Sequence, residues 1–141
     1  MMHASLRATS ALALLLFSAL FSVLAAAPAH ARTCAYGFCG EVRNTLPRSF
    51  TVKAAAFGEG SERCATYNAG GFPCRTYWLP SGKSSKDVGV EDADAFMVTS
   101  TYQVGRIAGT TVPGFTWTRI TSPLTAFCGL PREATTPTCY W

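Results

Sequence analysis

The stretch DVGVEDADAFMVTSTYQV, residues 87–104, decides how this chain is read. Its second half alternates, with Phe96, Val98, Tyr102 and Val104 on one side and Thr99, Thr101 and Gln103 on the other. A period of two carried by β-branched and aromatic residues marks a half-buried strand, placed near the middle of a sheet. Just before it, Glu91, Asp92 and Asp94 put three carboxylates into four positions, with Asp87 close behind. The densest acidic cluster of the protein thus stands at the mouth of its best strand. Like charges this close repel each other unless water or a cation screens them. The expectation is that Glu91, Asp92 and Asp94 are exposed and act electrostatically or structurally.

Outward from this stretch the chain reads as β with loops. Residues 48–57, in which Phe50, Val52, Ala54 and Ala56 alternate with Thr51, Lys53 and Ala55, predict an early strand, and Gly58-Glu59-Gly60-Ser61 predicts a turn after it. Arg75 to Leu79 reads as a short aromatic strand ended by Pro80-Ser81-Gly82. Gly105 and Gly109 flank a turn around Arg106-Ile107-Ala108, and Phe115 to Ile120 supplies a further strand. Ala126 to Gly129 and Thr138 to Trp141 add short C-terminal pieces. No window of helical length keeps a 3.6-residue period without Gly or Pro interrupting it. Five to eight short strands with regular turn signals predict a mostly β fold, a small disulfide-stapled β-sandwich or barrel.

Residues 1–31 read as a cleaved signal peptide: a weakly basic start, an apolar run from Ala11 to Ala27, and Ala29-His30-Ala31 as the small-x-small cleavage pattern. Residues 32–141 then form a single secreted β domain of 110 residues, soluble and free of the membrane after cleavage, and expected to be a monomer. Removing Arg7 leaves 11 basic against eight acidic residues, a net charge of +3. The basic residues are scattered, which argues against nucleic acid as a partner. Both histidines, His3 and His30, leave with the leader. Ser-His-Asp and Cys-His nucleophile pairs, histidine bases and histidine metal ligands are then excluded together.

All six cysteines, Cys34, Cys39, Cys64, Cys74, Cys128 and Cys139, fall after the cleavage site. An even number in an exported chain of this size implies three disulfides, and six cysteines allow about 15 pairings. Spacing suggests Cys64 with Cys74 and Cys128 with Cys139, each around a loop containing Gly and Pro, leaving Cys34 with Cys39. Each ten-residue closure contributes roughly 2.5–3 kcal/mol in the chain-entropy model. Zinc is the rival use of cysteines, but the chain has no C-x-x-C pair.

Asp87, Glu91, Asp92 and Asp94 have two readings. One is a calcium site, which would lack the twelve-residue loop with its glycine and terminal bidentate glutamate. The other, favoured by the spacing, is a solvated acidic turn that also keeps a sheet end from pairing. No metal, cofactor or catalytic residue is assigned. Gly82-Lys83-Ser84 is a surface turn, since the rest of a phosphate-binding loop is missing. Aromatic residues offer a binding surface instead. Tyr77 and Trp78 are neighbours in one strand and must face opposite sides, so one of them is exposed. Tyr140 and Trp141, tied by Cys139, could bind or could cover a sheet edge, and Trp117 is expected in the core.

Leu79-Pro80-Ser81-Gly82-Lys83-Ser84-Ser85, Asp92-Ala93-Asp94-Ala95-Phe96 and Trp117-Thr118-Arg119-Ile120 resemble small secreted cysteine-containing β proteins of filamentous fungi and actinobacteria. That group has no established activity. The resemblance implies an extracellular, effector- or toxin-like interaction protein, non-catalytic, whose partner is an unidentified extracellular protein or glycan. Two alternatives stand beside it: a small secreted hydrolase using Glu91, Asp92 or Asp94, and a protease inhibitor presenting residues 74–82 as a rigid loop.

Overall fold

The computed structural model describes Cys34 and residues 39–105 and 109–141. The predicted leader and the turn at 106–108 lie outside these residues. Among those described are ten strands: β1 (Glu41–Asn44), β2 (Val52–Thr66), β3 (Gly70–Leu79), β4 (Lys83–Ser84), β5 (Ala95–Val98), β6 (Tyr102–Val104), β7 (Thr110–Val112), β8 (Trp117–Arg119), β9 (Thr125–Gly129) and β10 (Thr138–Tyr140). A single 3₁₀ turn covers Lys86–Val88. The strands form two sheets, ordered β4-β1-β9-β10-β6-β7 and β3-β2-β5-β8. Both are mixed: β1 is parallel to β9 and β10 to β6 in the first, and β2 is parallel to β8 in the second. The mostly β, sandwich-like arrangement agrees with the sequence.

The predicted central strand is two strands in two sheets. Phe96 and Val98 in β5 and Tyr102 and Val104 in β6 do enter the same core, as their alternation requires. Between them, residues 99–101 carry the chain across from one sheet to the other. All four residues of β5 are buried, because the four-stranded sheet has apolar groups on both faces. Phe96 and Val98 join Val42, Leu46, Val52, Val112 and Ile120 between the sheets, while Ala95 and Met97 join Phe57, Cys64, Cys74 and Trp117 on the outer face. Trp117 is therefore a core residue, as expected. Burying a side chain the size of Phe96 contributes roughly 1.5–3 kcal/mol.

The outer-face core exists because β2 is long and sharply bent. Its first half pairs with β3 and β5, and its last residue, Thr66, pairs in parallel with Trp117 of β8. The bend falls at Gly58-Glu59-Gly60-Ser61, where the sequence predicts a turn. These residues are instead a bulge inside β2: Phe57 and Glu62 both oppose Cys74, and the strand continues to Thr66. Gly58 and Gly60 have φ of 77° and 80°, and a Cβ on Gly60 would stand 2.6 Å from the Cys74 carbonyl oxygen. Glycine is required there by the bulge. The reversal comes at residues 67–69, and Cys64–Cys74 links the two arms of the resulting hairpin. The other disulfides are Cys34–Cys39 and Cys128–Cys139, so all three follow the spacing.

Several buried polar groups have specific partners. The Tyr102 ring is fully buried and its hydroxyl donates to the Thr116 carbonyl at 2.7 Å, with the Thr118 hydroxyl also at 2.7 Å. Burial pushes that phenol well above its ordinary value. Glu41 lies against Arg43 Nε at 2.9 Å and Lys86 Nζ at 3.7 Å.

Candidate functional site

The acidic stretch is built into the fold. Asp92 Oδ1 accepts the Gly40 backbone N–H at 2.7 Å and the Ser122 hydroxyl at 3.0 Å. Asp94 Oδ2 accepts the Phe57 N–H at 2.7 Å, next to the β2 bulge, and its backbone bridges Ala55 and Ile120. Both side chains are half-buried, and Glu91 is exposed. The expectation of three exposed carboxylates therefore holds for Glu91 and is corrected for Asp92 and Asp94. Each accepts from a different backbone donor, which disperses the charges that the sequence sets side by side. β5 begins at Ala95, just after the cluster.

Asp87 is elsewhere, exposed, accepting the Ser84 N–H at 2.7 Å, and that bond holds its carboxyl below the ordinary value. Asp87, Glu91, Asp92 and Asp94 supply no set of three ligand atoms within 4.8 Å of one another, so the calcium grouping is not assembled. Among the described residues only Cys34, Cys39 and Asp92 come that close. These two cysteines are bonded to each other and offer no thiolate. The inhibitor loop is also corrected, since residues 74–79 lie in β3, hydrogen-bonded to β2.

Of the aromatic candidates, Trp78 is the most exposed to solvent. Alternation in β3 turns Tyr77 onto the large core and Trp78 outward, 59% exposed. Lys53, opposite Trp78 in the β2–β3 ladder, sets its ammonium 4.2 Å from the indole centroid. This cation–π pairing fixes the ring. Beside it lies an open groove of about 520 Å³, lined by Arg48, Phe50, Thr51, Val52, Trp78, Leu79, Pro80, Ser81 and Lys83. No carboxylate lines it.

Two turns build the groove. In the first, the Phe50 N–H donates to the Pro47 carbonyl at 3.0 Å, and in the second the Lys83 N–H donates to the Pro80 carbonyl at 3.1 Å. Buried Asn44 ties the two turn regions together. Its amide donates to the Leu79 carbonyl at 2.8 Å, and its oxygen accepts the Leu46 N–H at 3.0 Å. The Ser81 hydroxyl adds a bond to the Leu46 carbonyl at 2.6 Å. Sequence reasoning missed Asn44, Arg48, Phe50, Lys53 and Lys83 as a set, since they come from separate segments. The available signal was the Lys53–Trp78 pair, which follows once the hairpin register is known.

Tyr140 is half-buried and stacks on Phe127 at 5.8 Å, while Trp141 is 40% exposed and meets Phe96 edge-on at 6.2 Å. β10 lies inside its own sheet between β9 and β6. Compared with protein-family models, curated proteins and solved structures, the chain finds no match. Among the described residues no helix is long and apolar enough to cross a membrane.

Proposed function

We propose that the chain is an exported, non-catalytic binding protein of the effector- or toxin-like kind. In this reading the groove beside Trp78 holds an acidic extracellular glycan. One observation carries it: an exposed, pre-oriented indole stands beside Lys53, Arg48 and Lys83 with no carboxylate lining the groove. A flat aromatic face suits the apolar C–H surface of a sugar ring, and the cations suit its carboxylates. Holding the indole in place in advance lowers the ordering cost of binding. Three disulfides are compatible with an extracellular setting.

A hydrolase would need two carboxylates facing each other across a cleft. Asp92 and Asp94 are engaged with backbone donors from different segments, so the geometry lends that alternative no support. The test is retention on immobilised polygalacturonate against neutral dextran. The protein should be retained on the uronate polymer at low salt and released as salt screens the charges. Trp78→Ala should weaken retention at least tenfold. Equal retention on dextran, or unchanged retention of Trp78→Ala, would remove the proposal.

A further inference from the structure

A second hollow, of about 600 Å³, is lined by Thr45, Pro47, Gly129, Leu130, Pro131, Thr138 and Tyr140. The strand register shows which side chains share its face. Cys128 and Cys139 stand opposite each other in the core, so Phe127, Gly129, Thr138 and Tyr140 point to the other side of the six-stranded sheet. Tyr140 stacks there on Phe127, its partner across the ladder. Opposite Thr138 stands Gly129, which leaves a gap in that row. Its backbone is not left-handed, so conformation does not demand a glycine, and glycine in a strand marks a place of close approach. A Cβ on Gly129 would stand 3.0 Å from Thr45 Oγ1, which sets that hydroxyl at the gap. The hydroxyl donates to the Cys128 carbonyl at 2.9 Å, so only its lone pairs remain for a ligand. Among the described residues no charged side chain lines the hollow, and Arg43, opposite Phe127, is paired with Glu41.

We propose that this hollow is a binding site for an uncharged sugar ring. Apolar walls with a few placed polar groups are the usual make-up of a small-molecule site. Tyr140, Leu130 and the two prolines suit the C–H surface of the ring, and Thr45 accepts one of its hydroxyls. A proline-rich peptide is the other ligand suited to an aromatic-lined groove, but a run of prolines has no N–H to give to Thr45. A charged sugar would lose water here without gaining a partner for its charge. The inference rests on residues distinct from those around Trp78 and stands whether or not that groove binds an acidic glycan. Retention on a neutral polymer through this hollow would not respond to salt, which separates it from the retention assigned to Trp78.

Methyl β-glucoside is the probe, with tetrahydropyran as the ring without hydroxyls, sodium glucuronate as the charged counterpart and octaproline as the peptide. The readout is the NMR signals of the Thr45, Gly129 and Tyr140 backbone N–H groups. The glucoside should move them along a saturating curve, tetrahydropyran should bind at least tenfold more weakly, and glucuronate and octaproline should bind no more tightly than the glucoside. Thr45→Val keeps the side-chain shape and the Thr45 N–H bond to the Cys128 carbonyl, and removes only the hydroxyl. It should weaken the glucoside about fivefold, the effect of one neutral hydrogen bond, and leave tetrahydropyran binding and the melting temperature unchanged. Trp78→Ala should leave the glucoside curve as it is. Static signals, tighter binding of glucuronate or octaproline, an equal response to tetrahydropyran, or full glucoside binding by Thr45→Val would overturn the assignment.

Discussion

The acidic mouth of β5 and the basic groove beside Trp78 are the two chemically conspicuous regions of this molecule, and they differ in what their polar groups do. At the mouth, Asp92 and Asp94 accept hydrogen bonds from the backbone of Gly40 and Phe57. At the groove, Arg48 and Lys83 line open space and Lys53 engages the indole it orients. One set of charges holds the fold together; the other is left at the surface. Charge density along the sequence makes the acidic region the more conspicuous of the two, although its spacing already favoured a structural or electrostatic role. The structure shows that partnership, rather than density, separates a structural cluster from an available one.

Asn44 is the residue where that separation should break down, and it should show the largest effect. It is buried and serves the fold and the groove wall together. Asn44→Ala leaves the Leu79 carbonyl and the Leu46 N–H without their Asn44 partner, a loss of about 2–6 kcal/mol at about 1–3 for each group. Urea unfolding should record that loss, and retention on polygalacturonate should fall as well. Asp94→Ala sharpens the contrast. It removes the carboxylate that accepts the Phe57 N–H and should cost about 1–3 kcal/mol in the same unfolding measurement, while retention stays at the wild-type level.

Asp87 gives the smallest effect and one with a definite sign. The Ser84 N–H holds its folded pKa below the ordinary carboxylate value. Its contribution to stability is therefore present above about pH 4 and is lost as pH falls through the folded value. Asp87→Asn should lower stability slightly at pH 7, leave it unchanged at the acid extreme and so flatten the curve between, as followed by thermal unfolding across pH 2–7. The side chain is exposed, so solvent screening keeps the change small.

Much of the scaffold was legible in the residues, and the exceptions have physical reasons. The period of two over Phe96, Val98, Tyr102 and Val104 correctly placed four residues in one core. It could not show that the chain changes sheets, because both segments face the same interior. Ser100, polar at an otherwise apolar position, was the available sign of the break. Gly58 to Ser61 reads as a turn because glycine signals left-handed backbone, and a bulge uses that conformation as readily as a turn does. The ten-residue spacing of Cys64 and Cys74 held the better clue, since its midpoint lies at the true reversal. The groove was legible only in Trp78. Arg48, Phe50 and Lys83 meet it through pairings between distant segments, and no local pattern carries those.

The most direct test of the claim that Trp78 marks the working surface is an NMR chemical-shift map of the protein titrated with a short oligogalacturonate. The expected result is a contiguous set of shifts at the Trp78 indole and at Lys53, Arg48, Phe50 and Lys83, abolished in Trp78→Ala. Shifts confined to Glu91, Asp92 and Asp94, or cleavage of the oligosaccharide during the titration, would contradict it and return the function to the acidic stretch.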